Sequence, residues 1–164
     1  INLVKIELGY EAFHVVVLGS DQGRNLYKKK LIRLTEQYRL NKQIKFIDHC
    51  KDMALAYYIS DIIVSPSIEP EAFGRVAVEA QSMERLIIAS NIGGSNETII
   101  NNKTGFLFEA GDANSLSKKI IQAITMDETS LKLLGREGRK NVIKKFNVEK
   151  MCFSTYSEYK RLLN

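Results

Sequence analysis

The sequence predicts an α/β fold in which a parallel sheet carries helices on both faces. Short apolar runs recur at 13–18, 44–47, 62–64, 86–89 and 105–108. A run that is apolar at nearly every position marks a strand covered on both sides. Helical spacing fills the intervals, first through Leu26, Leu31, Leu34 and Tyr38, then Met53, Leu55, Ala56 and Ile59, then Val76, Ala80 and Met83. Glycine and proline mark the junctions at Gly19, Gly23, Pro66 and Gly93-Gly94. Strands alternating with helices build parallel sheets through crossover connections.

Taken in order, residues 1–8 read as the tail of a helix. The run 13–18 is a strand interrupted by His14, which is expected only to pack, and the turn 19–23 follows it. After the Leu26 helix comes the 44–47 strand, with His49 at its end. The short helix through Met53 leads to the 62–64 strand, stopped by Pro66. The Val76 helix and the 86–89 strand come next, and Gly93-Gly94 opens a short helix through Thr98-Ile99-Ile100. The 105–108 strand is the last, and helices near 113–125, 129–145 and 148–162 close the chain. No repeat, low-complexity tract or interdomain linker interrupts this order, so 1–164 reads as a single domain.

Composition narrows the function classes. The 164 residues suffice for one domain with a real core, and 45% hydrophobic with 26% charged residues is ordinary for a globular protein. No run approaches the ~18–20 apolar residues of a membrane span. The chain does not begin with Met, and it is read as a piece cut from a longer protein. Cys50 and Cys152 match no metal or disulfide spacing and read as buried or inert thiols in a reducing compartment. The net charge of +5 suits a nucleotide diphosphate or a peripheral seat on an anionic membrane. The basic residues are scattered and no RNA-binding aromatic motif accompanies them, so nucleic acid is not an expected partner.

The segment Glu71-Ala72-Phe73-Gly74-Arg75-Val76-Ala77-Val78-Glu79 carries the most chemistry. It runs from the end of a buried strand through a loop into a helix that starts near Gly74. A helix start presents unpaired N–H groups and a partial positive charge, which suits a phosphate. Glu79, between Val76 and Met83, is placed near the middle of the apolar stripe, where a carboxylate needs a partner. At ~1.5 Å per residue, Gly74 to Glu79 spans roughly 7–8 Å, about the distance from a pyrophosphate to the ribose of one nucleotide. A nucleotide-sugar could lie along the segment, with its sugar at Glu71, its diphosphate at the Phe73 and Gly74 amides and its ribose at Glu79. The plainer alternative is a Glu79 satisfied by a nearby Lys or Arg and a Glu71 that is a surface loop residue. Ligands of open α/β sheets bind beyond the carboxyl ends of the strands, and the loops near 19–23, 48–51, 65–74 and 90–95 lie there.

Ser65-Pro66-Ser67, Glu71, Phe73, Gly74 and Glu79-Ala80 closely resemble the E-x7-E segment of the retaining glycosyltransferases with two Rossmann-like domains, the GT-B fold of family 4. The likeness continues through Ile88-Ala89-Ser90, Ile92-Gly93-Gly94, Glu97-Thr98-Ile99, Thr104-Gly105-Phe106-Leu107-Phe108, Ala110-Gly111-Asp112-Ala113 and Leu116, and reaches back to Val15-Val16-Val17-Leu18-Gly19 and Phe46-Ile47. It covers roughly residues 13–146 in the family's order and spacing. The chain departs from the pattern at Glu84, where most relatives carry Gly, and at Leu86, where most carry Pro.

The resemblance implies the Rossmann-like C-terminal, donor-binding half of a GT-B enzyme, with the N-terminal acceptor domain outside this chain. Sugar would pass from a nucleotide diphosphate to an acceptor hydroxyl with retained configuration and with no required metal or other cofactor. Glu71 would be catalytic, holding the sugar hydroxyls. Phe73 and Gly74 would steady the leaving phosphate, and Glu79 would clamp the ribose. Gly19 would lie near the donor. Ser67 is either a turn residue or a hydroxyl close to the ligand, and Arg75 either reaches the diphosphate or points into solvent. Near Ile47 and Asp48 the family uses backbone groups for the base; His49 either approaches the base or serves as an acid/base, or, as a lone His with no carboxylate pattern beside it, is structural, which is the favoured reading. Gly93 and Gly94 mark a turn or a backbone free to approach the donor, and Glu97 either pairs with a basic residue or caps the helix it begins. The acceptor would be a glycan or lipid-linked glycan of envelope polysaccharide or lipopolysaccharide synthesis, in the cytoplasm at the inner face of the membrane. Two rivals stay open: a non-catalytic nucleotide-sugar-binding or interaction domain, and another GT-B-like enzyme such as an epimerase.

Overall fold

The computed structural model describes residues 1–9, 13–21, 23 and 25–163, which fall into two compact units, 1–56 and 57–164. The first unit holds α1 (Asn2–Leu8), β1 (Val15–Leu18), α2 (Asn25–Gln37) and β2 (Ile44–Ile47), and the division falls within α3 (Met53–Tyr58). β1 and β2 pair in parallel, Val15 opposite Ile44 through Leu18 opposite Ile47. Gln22, part of the turn expected at 19–23, lies outside the described residues. β1 is shorter than the apolar run, and His14 precedes it with an exposed side chain rather than packing. Neither thiol is buried: Cys50 is half-buried and Cys152 exposed.

The second unit contains β3 (Ile62–Ser65), α4 (Arg75–Ser82), β4 (Leu86–Ser90), α5 (Ser95–Thr98), β5 (Phe106–Phe108), α6 (Ala113–Ile124), α7 (Glu128–Lys145) and α8 (Val148–Leu163). Its sheet has the parallel order β3-β4-β5, with Ile63 opposite Ile87 and Ala89 opposite Leu107. Every residue of the central strand β4 is buried. Tyr57, Ala77, Ala80, Ile87, Ala89 and Ile99 form the core against α4, with Ile63, Val76, Met83 and Leu107 at its margin. The parallel α/β class with flanking helices is thus the observed one. Gly105 joins only through an isolated bridge to Asn101, and α5 stops at Thr98 because Ile99 turns extended.

Caps set the later boundaries. Asp112 accepts from the Asn114 and Ser115 amides to start α6. Asp127 does the same for α7, and the Ser130 hydroxyl and amide hold its carboxyl below the usual carboxylate range. A buried polar network ties the helices together: the Gln81 amide donates to the carbonyls of Ala77 (3.1 Å) and Thr98 (3.0 Å), and Asn141 donates to Thr98 (3.1 Å). The nitrogen of each buried amide is paired in this way, as buried donors generally are. This network rotates α4 relative to expectation. Its innermost residues are Ala77, Ala80 and Gln81, so Glu79 flanks the buried stripe and is half-exposed instead of lying in its middle.

Candidate functional site

β3 and β4 are parallel neighbours, so the loops that follow them, 66–74 and 91–94, leave from the same edge of the sheet. The two loops are locked face to face. The Gly94 amide donates to the Glu71 carbonyl at 2.8 Å. A Cβ on Gly94 would stand 2.5 Å from the Phe73 backbone, and one on Gly93 would stand 2.6 Å from the Glu71 carbonyl. Only glycines permit this approach. The turn expected of Gly93 is observed, with φ 56°, and its close approach is to the backbone of residues 70–71.

Glu71 is therefore fixed through its main chain. The Ser67 hydroxyl donates to its Oε1, so the two candidates are neighbours. Phe73 is half-exposed, and its ring meets Phe146 edge-on at a centroid distance of 5.7 Å. Phe73 also forms one wall of a groove of about 630 Å³ running along Phe146, Lys150, Met151 and Ser154. Gly74 is the N-cap of α4 with φ 75°, the left-handed region that favours glycine. No side chain caps this helix start, and its first N–H groups have no partners within the helix.

Glu79 follows on α4 with both carboxylate oxygens engaged. The Tyr57 hydroxyl donates to Oε2 at 2.8 Å, and the Arg75 guanidinium donates to Oε1 at 3.1 Å. Burial, and after it the hydrogen bond to Glu79, pushes the Tyr57 phenol well above its ordinary value. Arg75 thus turns back along its own helix, while its side chain stays 83% exposed. The expectation of a Glu79 satisfied by a neighbouring base is met in part, and Tyr57 is the partner that sequence reasoning missed.

Ser67, Glu71, Phe73, Gly74, Arg75 and Glu79 all belong to one strand–loop–helix unit. Gly19 belongs to the other compact unit, where its φ is 138° and its amide donates to Ile47 at 3.0 Å. In that unit Asp48 pairs with Lys28, and His49 is exposed beyond the end of β2. Glu97 is exposed in the first turn of α5. Among the described residues, no group of three or more His, Cys, Asp or Glu side chains is placed to hold a metal ion. Among them, too, no helix is long and apolar enough to cross a membrane.

A parallel α/β unit with its candidate residues on the loops after two adjacent strands is the architecture of one half of a GT-B glycosyltransferase. The family described as glycosyl transferases group 1 matches residues 3–141, and the chain belongs to it. Over 158 residues the chain is 29% identical to the capsular polysaccharide biosynthesis glycosyltransferase CapM of Staphylococcus aureus, covering 96% of this chain and 40% of that protein. A glycosyltransferase of Rickettsia africae superposes with a TM-score of 0.88 at 34% identity, over 99% of this chain and 44% of its own. The C-terminal domain of a group 1 glycosyl transferase of Francisella tularensis superposes at 0.79 with 28% identity, over 90% of this chain and 76% of its own. The chain thus spans about 40% of the length of the capsular relative.

Proposed function

We propose that residues 1–164 form the donor-binding domain of a retaining glycosyltransferase, which moves a sugar from a nucleotide diphosphate to an acceptor hydroxyl. One observation carries the reading. A single loop and helix presents a braced carboxylate at Glu71, an uncapped helix start at Gly74 and a second oriented carboxylate at Glu79. Those three features match the sugar, the diphosphate and the ribose of one ligand.

In this reading Glu71, backed by Ser67 and the Gly94 amide, holds sugar hydroxyls and aligns the anomeric carbon. The bond from that carbon to the phosphate oxygen breaks and its electron pair leaves with the diphosphate, while the acceptor oxygen bonds on the same face and its proton passes to the departing phosphate oxygen. Charge growing on the departing phosphate falls where the Phe73 and Gly74 amides and the α4 dipole stabilise it. Positioning and fixed dipoles supply the catalysis, and the chemistry asks for no metal or other cofactor. Arg75 is free to leave Glu79 for the diphosphate, because its guanidinium reaches solvent.

The likeness to a capsular polysaccharide glycosyltransferase supports an envelope glycan or a lipid-linked glycan as acceptor, bound by a further N-terminal domain. The net charge of +5 supports a peripheral seat on the inner face of the membrane.

Calorimetric titration with UDP, GDP, ADP and their common sugar conjugates tests the donor site. One nucleotide is expected to bind, and Glu79→Ala to weaken it at least tenfold. Unchanged affinity in Glu79→Ala would favour a drifted, non-catalytic domain. The chain alone is expected to bind weakly and to transfer no sugar, so robust turnover would overturn the assignment of acceptor contacts to another domain.

A further inference from the structure

We infer that Tyr57 is a positioning residue for nucleotide recognition, fixing Oε2 of Glu79 so that Oε1 is the oxygen offered to the ribose. This deepens the donor-site reading and rests on it. The two partners of the carboxylate are unequal. Tyr57 is 5% exposed and anchored in the core beside Ala77, Ala80 and Ile87, and its hydroxyl lies 2.8 Å from Oε2. Arg75 reaches Oε1 from solvent at 3.1 Å as an exposed pair one turn away, a contact that water and salt weaken. A ribose diol arriving at this edge displaces the exposed guanidinium, not the buried phenol.

The chemistry fits that division. A phenol buried in the core stays protonated and can only donate toward a carboxylate, and the shift of its titration above the ordinary range agrees. A glutamate on a helix surface has three freely rotating bonds, and ordering them on binding weakens affinity. Tyr57 orders them in the free protein, which is preorganisation. Tyr58, the next residue, faces elsewhere: it is exposed, and its ring lies under the Arg85 guanidinium at 5.4 Å. Within the Tyr57-Tyr58 pair, only the first serves Glu79.

The test titrates the full chain with UDP, GDP and ADP, and then with the 2′,3′-dideoxy form of whichever binds. It compares the unsubstituted chain with Tyr57→Phe, Glu79→Gln and the double variant. Tyr57→Phe removes one oxygen and leaves Glu79 within reach of water, so the fold is retained, and thermal melting of each variant checks it. The unsubstituted chain is expected to prefer the ribonucleotide over its dideoxy form at least tenfold. Tyr57→Phe is expected to weaken the ribonucleotide five- to twentyfold and leave the dideoxy form unchanged. That loss should vanish in the Glu79→Gln background, since the two residues act as one unit. A Tyr57→Phe chain with an unchanged ribo-to-dideoxy ratio overturns the inference, as does an equal loss for both nucleotides. Failure of the donor-site reading looks different: the unsubstituted chain then binds none of the three nucleotides or does not discriminate the dideoxy form.

Discussion

The two compact units contain strands that look alike in sequence and differ in structure. Val15-Val16-Val17-Leu18 and Leu86-Ile87-Ile88-Ala89-Ser90 are both continuous apolar runs. Every residue of β4 is buried, whereas β1 leaves Val16 55% exposed. β4 lies between β3 and β5, and α4, α6 and α7 all pack on it, while among the described residues β1 pairs only with β2. An apolar run records that a strand is suited to being covered; the helices and strands around it decide whether it is. The loops bearing Glu71 and Gly94 follow strands of the filled sheet, so the candidate site stands on the better-packed unit.

The sharpest way to break that comparison is a pair of truncations. Ile88 is wholly buried in β4, and Ile88→Ala is expected to cost about 3–4 kcal/mol, the range for emptying a packed core position. Val16→Ala, on a half-exposed strand, should cost under about 1 kcal/mol. Urea unfolding followed by circular dichroism measures both. Equal losses would mean that β1 is covered as fully as β4.

The next effect lies where α7 crosses α4. A Cβ on Gly135 would stand 2.1 Å from the Glu84 carbonyl oxygen, and one on Gly138 would stand 3.0 Å from the Gln81 side chain. The two glycines, one turn apart, present a flat face that lets the helices touch. Gly135→Ala must push backbone away from backbone, and a loss of about 3 kcal/mol is expected. Because α4 also carries Glu79, nucleotide affinity should fall with it. A melt within a degree or two of the unsubstituted chain would show that α7 can slide at no cost.

A pH series isolates the tie between Tyr57 and Glu79. The folded phenol titrates above its unfolded value of about 10. The contribution of Tyr57 to stability is therefore fully present below pH 10 and is lost as pH rises from 10 toward the folded value. The unfolded chain sheds that proton first, so the slope is at most about 1.4 kcal/mol per pH unit. Tyr57→Phe should be less stable near neutrality yet lose less as pH rises above 10. Parallel curves for the two chains would mean that the phenol is not held in the folded state.

Much of this fold was legible because the chain punctuates itself. Apolar runs, Pro66 and the glycines fixed the order of strands and loops, and helical spacing placed Gly74 at a helix start. The apolar spacing of Val76, Ala80 and Met83 sets a different phase for α4 because it leaves out the polar Gln81, which is buried through its hydrogen bonds to Ala77 and to Thr98, 17 positions away. Tyr57 was missed for the same kind of reason. It reaches Glu79 across 22 residues, and no local periodicity encodes a contact between two helices. Phe146 beside Phe73 is a still longer-range case. What the sequence displays is each segment's own preference; partners brought together by the sheet appear only once it is assembled.

The smallest expected effect concerns Glu84, one of the two positions at which the chain departs from the pattern it resembles. Glu84 has φ 56°, in the left-handed region that non-glycine residues adopt at a cost. The helix turn there ends through bonds from the Met83 amide to Glu79 and Ala80 and from the Glu84 amide to Gln81. That conformation is the one a helix-terminating glycine supplies readily, and glycine is the residue the resemblance leads one to expect there. Glu84 gains only a partial offset from Arg139, whose guanidinium stands 3.8 Å away at an exposed site, a pair worth well under about 1 kcal/mol. Glu84→Gly should therefore stabilise the second unit by about 0.5 kcal/mol, the relief of backbone strain less the pair and the added freedom of the unfolded chain. Because the strain sits past the C-terminal end of α4 and the packed Glu71 loop precedes its N-terminal end, nucleotide affinity should not change. Thermal melting with parallel titration reads both, and a destabilised variant would show that the Arg139 pair outweighs the left-handed turn.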